Sequence, residues 1–299
     1  MADTTLSRTV DLGGPTHYLD FGGPDDAPPL VLVHGLGGSH VNWLAVGPSL
    51  AERQRVYAPD LAGHGLTLPD HRATDVAANQ RLLDRFLREV VGEPVVLAGN
   101  SMGGMISILQ AARNPDTVRA LVLVDPAVPG PRTRTDPQVA LNFLTYSVPV
   151  LAPVALAARR RRTTPPEQVR KVLDLCCVDP GRVPADLVDH AIELATRRQR
   201  VPGIDTAFLE AARSVLRHLV RRTHLQEAMR AVTVPVLLLQ GDRDRLVPLA
   251  AAQRAAADHP HWELHVAEGV GHVPMLEAPE WFLATYRGWS ERVGPAVLG

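Results

Sequence analysis

Cysteine is almost missing from this chain: Cys176 and Cys177 are the only two, and they are neighbours within a predicted helix. Adjacent residues can neither staple distant segments nor present spaced ligands, so no disulfide framework and no metal site are expected, and a reducing setting fits. A dominant charge is missing too. With 31 basic residues against 32 acidic ones and a net charge of -1, no global field favours nucleic acid or an anionic membrane. No stretch approaches the ~20 apolar residues that span a bilayer, and the first eight residues lack the apolar centre of a signal peptide. A cytoplasmic protein without a transmembrane segment is the expectation. A Walker loop, a dinucleotide fingerprint and a metal-ligand cluster are all wanting, so no cofactor is implied. No internal repeat or low-complexity tract is visible.

What is present is a chain of 299 residues with 45% hydrophobic content, enough for one large α/β domain or a core carrying an insertion. Its most informative stretch is residues 94–104, where the apolar run Val95, Val96, Leu97, Ala98 stops abruptly at Gly99-Asn100-Ser101-Met102-Gly103. The run is short and β-branched, without polar alternation, as in a parallel strand covered on both faces. Residues 105–113 read as a helix closed by Asn114-Pro115. A serine held at such a strand-to-helix bend needs a strained backbone, and side chains two residues to either side would collide; glycine at 99 and 103 removes both collisions.

The same alternation extends along the chain. Residues 8–12 and 16–21, joined by Gly13-Gly14-Pro15, predict an antiparallel edge hairpin. Buried strands follow at 29–34, 54–60 and 119–125, with helices predicted over 40–53 and over 74–91, the latter capped by Thr74 or Asp75. The alternation then lapses for about a hundred residues, with helical segments near 165–178, 184–200 and 205–230. It resumes with a strand at 234–241, a helix at 248–257, a strand at 262–267 and a final helix at 279–292. Residues 1–127 and 232–299 therefore form the expected core, and 128–231 an inserted helical cap. A mostly parallel sheet with helices on both faces collects reactive residues at the carboxyl ends of its strands.

Four of those ends carry candidate residues. Ser101 is a poor nucleophile alone and needs a base and an orienting acid. The turn Gly241-Asp242-Arg243-Asp244 offers two carboxylates past one strand, Asp125 ends another, and Gly271-His272 follows the last. The order Ser, Asp, His is that of the α/β-hydrolases. His34-Gly35-Leu36-Gly37-Gly38, Gly99-Asn100-Ser101-Met102-Gly103-Gly104, Gly241 through Pro248, and Gly271-His272 together resemble that superfamily, in its serine esterase and lipase-like branch, over almost the whole chain outside the cap. The turn Asp60-Leu61-Ala62-Gly63-His64-Gly65 is similar to one that shapes the site there.

The resemblance implies an eight-stranded sheet, Ser101 as nucleophile, His272 as base and then acid, and Asp244 as its orienter, with Asp242 capping the turn and Asp125 the remaining alternative. It implies backbone N–H groups of Leu36 and Met102 as the oxyanion donors. Gly35, Gly37, Trp43 and Val273 are the expected substrate-pocket residues. His34 and His64 read as structural partners in glycine turns; His40, Asn42 and Trp43 either line the pocket or start a helix. The basic run Arg159 to Arg162 behind the apolar segment 148–158 reads as a solvated helix end or a contact with an anionic interface. Serine rather than aspartate at 101 argues against dehalogenase and epoxide-hydrolase chemistry. The expected reaction is hydrolysis of a small-molecule ester with an apolar small or medium-chain acyl group. A carbon–carbon hydrolase of ring-cleavage products is the nearest rival, although Val273 stands where that branch commonly has Trp. Thioesterase or lactonase activity fits the same residues, and a receptor on this fold is the non-enzymatic alternative.

Overall fold

The computed structural model describes residues 6–131 and 162–294, together with Ala152, Leu156 and Ala158. The segment 148–158 and the run Arg159 to Arg162 lie outside the described residues, apart from those three positions and Arg162. Eight strands form one sheet: β1 (Ser7–Asp11), β2 (Pro15–Gly22), β3 (Pro29–Val33), β4 (Arg55–Pro59), β5 (Val95–Asn100), β6 (Val118–Val124), β7 (Val236–Gly241) and β8 (Trp262–Ala267). Their spatial order is β1-β2-β4-β3-β5-β6-β7-β8. β2 pairs antiparallel with β1 and β4, as the glycine-rich hairpin predicts, and the remaining pairs are parallel.

The unbroken apolar runs explain the layering. Val31, Val33, Val95, Leu97, Leu121 and Leu123 feed one packed cluster, while Leu30, Leu32, Val96, Ala98, Val122 and Val124 feed the other. Successive residues of a strand face opposite sides, so a strand covered on both faces is apolar throughout. Each buried leucine contributes roughly 2 kcal/mol of transfer free energy. Register brings the strand ends level: Gly99 lies opposite Val33 on one side and Leu123 on the other, and Val124 lies opposite Leu239.

The principal helices are α1 (Val76–Phe86), α2 (Met102–Arg113), α3 (Pro165–Cys176), α4 (Ala185–Arg198), α5 (Ile204–Val220), α6 (Arg222–Ala231), α7 (Leu249–Asp258) and α8 (Pro279–Val293). Asp75, not Thr74, caps α1 by accepting from the Ala78 N–H. Thr164 and Glu167 form a reciprocal capping box that starts α3. The helix predicted over 40–53 is instead a tight turn at His40–Trp43 and a short helix at Gly47–Ala51. Pro48 has no N–H with which to continue the first turn. A Cβ at Gly47 would sit 2.4 Å from the Phe21 ring, so the chain passes too close to β2 for a longer helix there. The helical span predicted over 205–230 is divided at Arg221 into α5 and α6.

The stretch between β6 and β7 carries α3 to α6 and is tied back onto the sheet by polar contacts. Arg198 donates to the carbonyls of Gly63 and Gly65. Glu210 accepts from the Thr74 N–H and hydroxyl, and Ser214 accepts from the Val76 N–H.

Candidate active site

Ser101 occupies the bend between β5 and α2 with φ 54° and ψ -116°, a strained conformation for a residue with a side chain. The flanking glycines are required sterically. A Cβ at Gly99 would lie 2.5 Å from the Gly103 carbonyl oxygen, and one at Gly103 would lie 2.3 Å from that of Val33. Three backbone bonds hold the bend: Ser101 N–H donates to Val124, and the Ser101 carbonyl accepts from Met105 and Ala127.

The β3 loop runs beside this serine. A Cβ at Gly35 would lie 3.0 Å from the Ser101 Cβ, so only glycine permits so close an approach. Leu36 is half-buried, and Gly37 has φ +73° and lies under Phe208 of α5. Met102 opens α2, where first-turn N–H groups have no intrahelical acceptor and carry the positive end of the helix dipole.

At the other strand ends, Nδ1 of His272 donates to Oδ2 of Asp244 at 2.7 Å. Asp244 is pinned on its other oxygen by the N–H groups of Leu246 (2.7 Å) and Val247 (3.0 Å). With the Gln240 amide at 3.2 Å, four donors reach this carboxylate. Asp242 accepts from the Gly269 N–H, which makes it a turn residue. Asp125 is also present. Its φ is +45°, Oδ1 accepts from Gln240 and Gly241, and among the described residues the buried Oδ2, which lies against the Asp244 carboxylate, has no donor. Burial, with the charge of Asp244 beside it, holds the Asp125 carboxyl well above the usual carboxylate range. Ligating atoms of Asp125, Asp244 and His272 lie within 4.8 Å of one another. Three hard or borderline donors so placed resemble a metal triad in composition, although His272 Nδ1 already bonds Asp244.

Asn100 joins the two halves, and sequence reasoning passed over it. Its amide donates to the carbonyls of Val124 and His272, both at 3.1 Å, from a fully buried position next to the serine. Its place inside the glycine motif was the available signal. Cys176 lies beside the same acids; burial first, then Asp244 and Asp125, push its thiol up to about 12, so it stays protonated and is no rival nucleophile.

The remaining histidines have structural partners. His34 donates from Nδ1 to the Gly35 carbonyl and accepts the Leu61 N–H at Nε2, and burial pushes it down to about 4. His64 donates to Ala62, and burial, then neighbouring His34, push it down to about 3. His40 bonds Asp60 through both its ring and its backbone N–H. Asn42 accepts from the Ser39 N–H and completes the cap of the His40–Trp43 turn. Trp43 has no exposed surface and packs edge-on against Phe282 at 6.2 Å. Trp43 thus lies inside the second packed cluster. Val273 is buried in the same cluster.

A family model described as "Alpha/beta hydrolase family" matches residues 30–285. Among curated proteins, the chain is 30% identical over 284 residues to a 2-hydroxy-6-oxo-2,4-heptadienoate hydrolase of Pseudomonas putida, covering 93% of this chain and 94% of that one. It is 28% identical over 274 residues to the dihydrolipoyllysine-residue acetyltransferase component of an acetoin cleaving system, also of Pseudomonas putida. There it covers 91% of this chain but spans only 66% of the relative's length. Among solved structures, a bacterial membrane phospholipase A superposes with a TM-score of 0.73 at 29% identity, covering 94% of this chain and 86% of that one.

Proposed function

The chain belongs to the alpha/beta hydrolase family, and from that premise we propose that it hydrolyses carboxylic esters through an acyl-enzyme formed on Ser101. The observation that carries the reading is the convergence of three strand ends: a strained Ser101, its neighbour Asn100 bonded to the His272 carbonyl, and His272 bonded to Asp244.

In this mechanism His272 Nε2 takes the Ser101 proton as Oγ bonds the ester carbonyl carbon. Asp244 fixes the tautomer and stabilises the imidazolium. The oxyanion is held by the N–H groups of Leu36 and Met102, and each such donor lowers the barrier by about 3 kcal/mol. The C–O bond breaks, and the departing alkoxide takes the proton from His272. Water then gives a proton to His272 and attacks the acyl carbon, and as the acyl C–O bond to Ser101 breaks His272 returns that proton to Oγ, releasing the acid. Residues 1–127 and 232–299 are the hydrolase core in this reading, and 128–231 a cap over Ser101. Gly35 and Gly37 let the substrate approach the loop, and the apolar character of α5 suits a small or medium acyl chain.

A second reading is hydrolysis of a carbon–carbon bond, which the 94% coverage of the heptadienoate hydrolase favours. Val273, where that branch commonly has Trp, ranks it below the ester. The test combines a fluorophosphonate probe with p-nitrophenyl esters of increasing chain length and a vinylogous diketo acid. Ser101→Ala is expected to abolish labelling and lower ester turnover at least about 10^4-fold. Retained ester activity in that variant overturns the mechanism, and faster turnover of the diketo acid than of any ester reverses the ranking.

A further inference from the structure

Glu277 is a carboxylate with 2% of its surface exposed, five residues beyond His272. Burying such a charge is costly unless its oxygens are saturated by donors. Here the donors come from two separate segments. Oε2 accepts the N–H of Gly271 at 2.7 Å, while Oε1 accepts those of Val178 at 2.9 Å and Asp179 at 2.8 Å. Gly271 precedes the proposed base; Val178 and Asp179 lie in the turn that leaves α3.

A second link runs in parallel. The His272 N–H donates to the Cys176 carbonyl at 2.6 Å. The two backbones touch closely enough that a Cβ at Gly271 would fall 2.2 Å from that oxygen. Arg182, just beyond the same turn, donates to the Gly269 carbonyl. The loop that carries the imidazole thus takes hydrogen bonds at 269, 271 and 272 that depend on the turn after α3. The Asn100 amide on its carbonyl is its counterweight from the core.

We propose that Glu277 is a positioning residue that couples the seating of the cap to the alignment of His272 on Asp244. The inference rests on the ester-hydrolase reading for its kinetic consequence, though not for its structural one. When the 176–179 turn lifts, Glu277 loses two of its three donors and His272 loses its acceptor, so Gly271 and His272 are released together. The base is in register only while the cap is down. This gives the cap a role in the chemical step as well as in substrate fit.

Two isolated changes test the coupling from opposite sides. Glu277→Gln keeps the volume but leaves one acceptor oxygen where two are needed. Val178→Pro deletes a donor from the cap side alone; Val178 is 49% exposed, and Cys177 before it is already extended at φ -107° and ψ 151°, as a following proline demands. Displacement of a catalytic group by about 1 Å can cost up to ~10^2-fold. Both variants are therefore expected to lower kcat and the rate of fluorophosphonate labelling about tenfold or more, with KM for a short ester within twofold of the original. Amide hydrogen exchange is expected to quicken jointly in 176–180 and 270–273, with 118–124 unchanged. Labelling and kcat within twofold of the original protein, or faster exchange in only one of the two segments, overturn the coupling. If Ser101→Ala keeps its ester activity, the ester reading fails and exchange alone decides: joint acceleration upholds the coupling, and anything less overturns it.

Discussion

Asp60 with His17 and His40, and Asp244 with His272 and Asp125, are two buried groups of nearly the same composition, each with its ligating atoms within 4.8 Å. In the first, Asp60 accepts the His40 N–H on one oxygen and the His17 ring, the His40 ring and the Leu66 N–H on the other. Burial would raise its pKa, but the charge of His40 and the bonds from both histidines hold the carboxyl well below the usual range. His17 is closed off further by Ser7. Everything is satisfied, and the cluster acts as a rivet between β2, the β3 loop and the Asp60 turn. In the second group one carboxyl oxygen has no partner among the described residues, one residue has a positive φ, and the imidazole stands past a strand end. Residue type does not separate the two; saturation, strain and position do.

The sharpest test of that difference is a pair of substitutions. Asp244→Asn, which keeps an acceptor oxygen for the Leu246 and Val247 N–H groups, is expected to lower kcat/KM by on the order of 10^3-fold or more while moving the thermal midpoint little. Asp60→Ala is expected to cost about 3–5 kcal/mol of stability, because two histidine rings and two N–H groups lose their acceptor, yet to leave turnover per fluorophosphonate-titrated site near that of the original. Calorimetry with active-site titration reads both, and an exchange of the two phenotypes would dissolve the distinction.

Asp125 supplies a smaller test. A carboxyl whose pKa is raised on folding costs stability wherever the unfolded chain ionises it, that is, as pH climbs above the ordinary aspartate value of 3.8. Asp125→Asn mimics the neutral acid. It is expected to raise the thermal midpoint at pH 7 and leave it unchanged at pH 3. A loss at pH 7 would mean that Asp125 works as a carboxylate.

The most local test lies in the histidines outside either group. His64 is held neutral with its pKa lowered to about 3. The unfolded chain binds the proton first as pH falls below about 6.5, so stability drops between there and pH 3. His64→Gln is expected to flatten urea-derived stability across that window by up to about 1.4 kcal/mol per pH unit. An unchanged slope would place the acid sensitivity elsewhere.

Much of this was legible in the sequence for identifiable reasons. Parallel strands covered on both faces leave unbroken apolar runs, so β3, β5, β6 and β7 could be read directly. Gly99 and Gly103 mark close backbone approaches that no side chain tolerates. The resemblance implies Asp244 rather than Asp242 beside the histidine; Asp244 bonds the His272 ring and Asp242 accepts the Gly269 N–H. What stayed hidden is made of bonds between distant backbones. Glu277 reaches Val178 across 99 positions, and the Cys176 carbonyl that receives His272 has no side-chain signature at all. An aromatic next to a glycine loop looks the same from sequence whether it faces a ligand or a neighbouring ring; Trp43 packs against Phe282.

Strands β6 and β7 lie side by side, Leu121 opposite Val236, with more than a hundred residues of chain leaving and returning between them. The entropy of closing such an excursion grows only with the logarithm of its length, about 0.6 kcal/mol for each doubling. The seam is therefore almost indifferent to how much chain passes through it. Evolution can lengthen, trim or exchange the excursion without shifting the register of a single strand, leaving the sheet to conserve the reaction while the inserted segment diversifies.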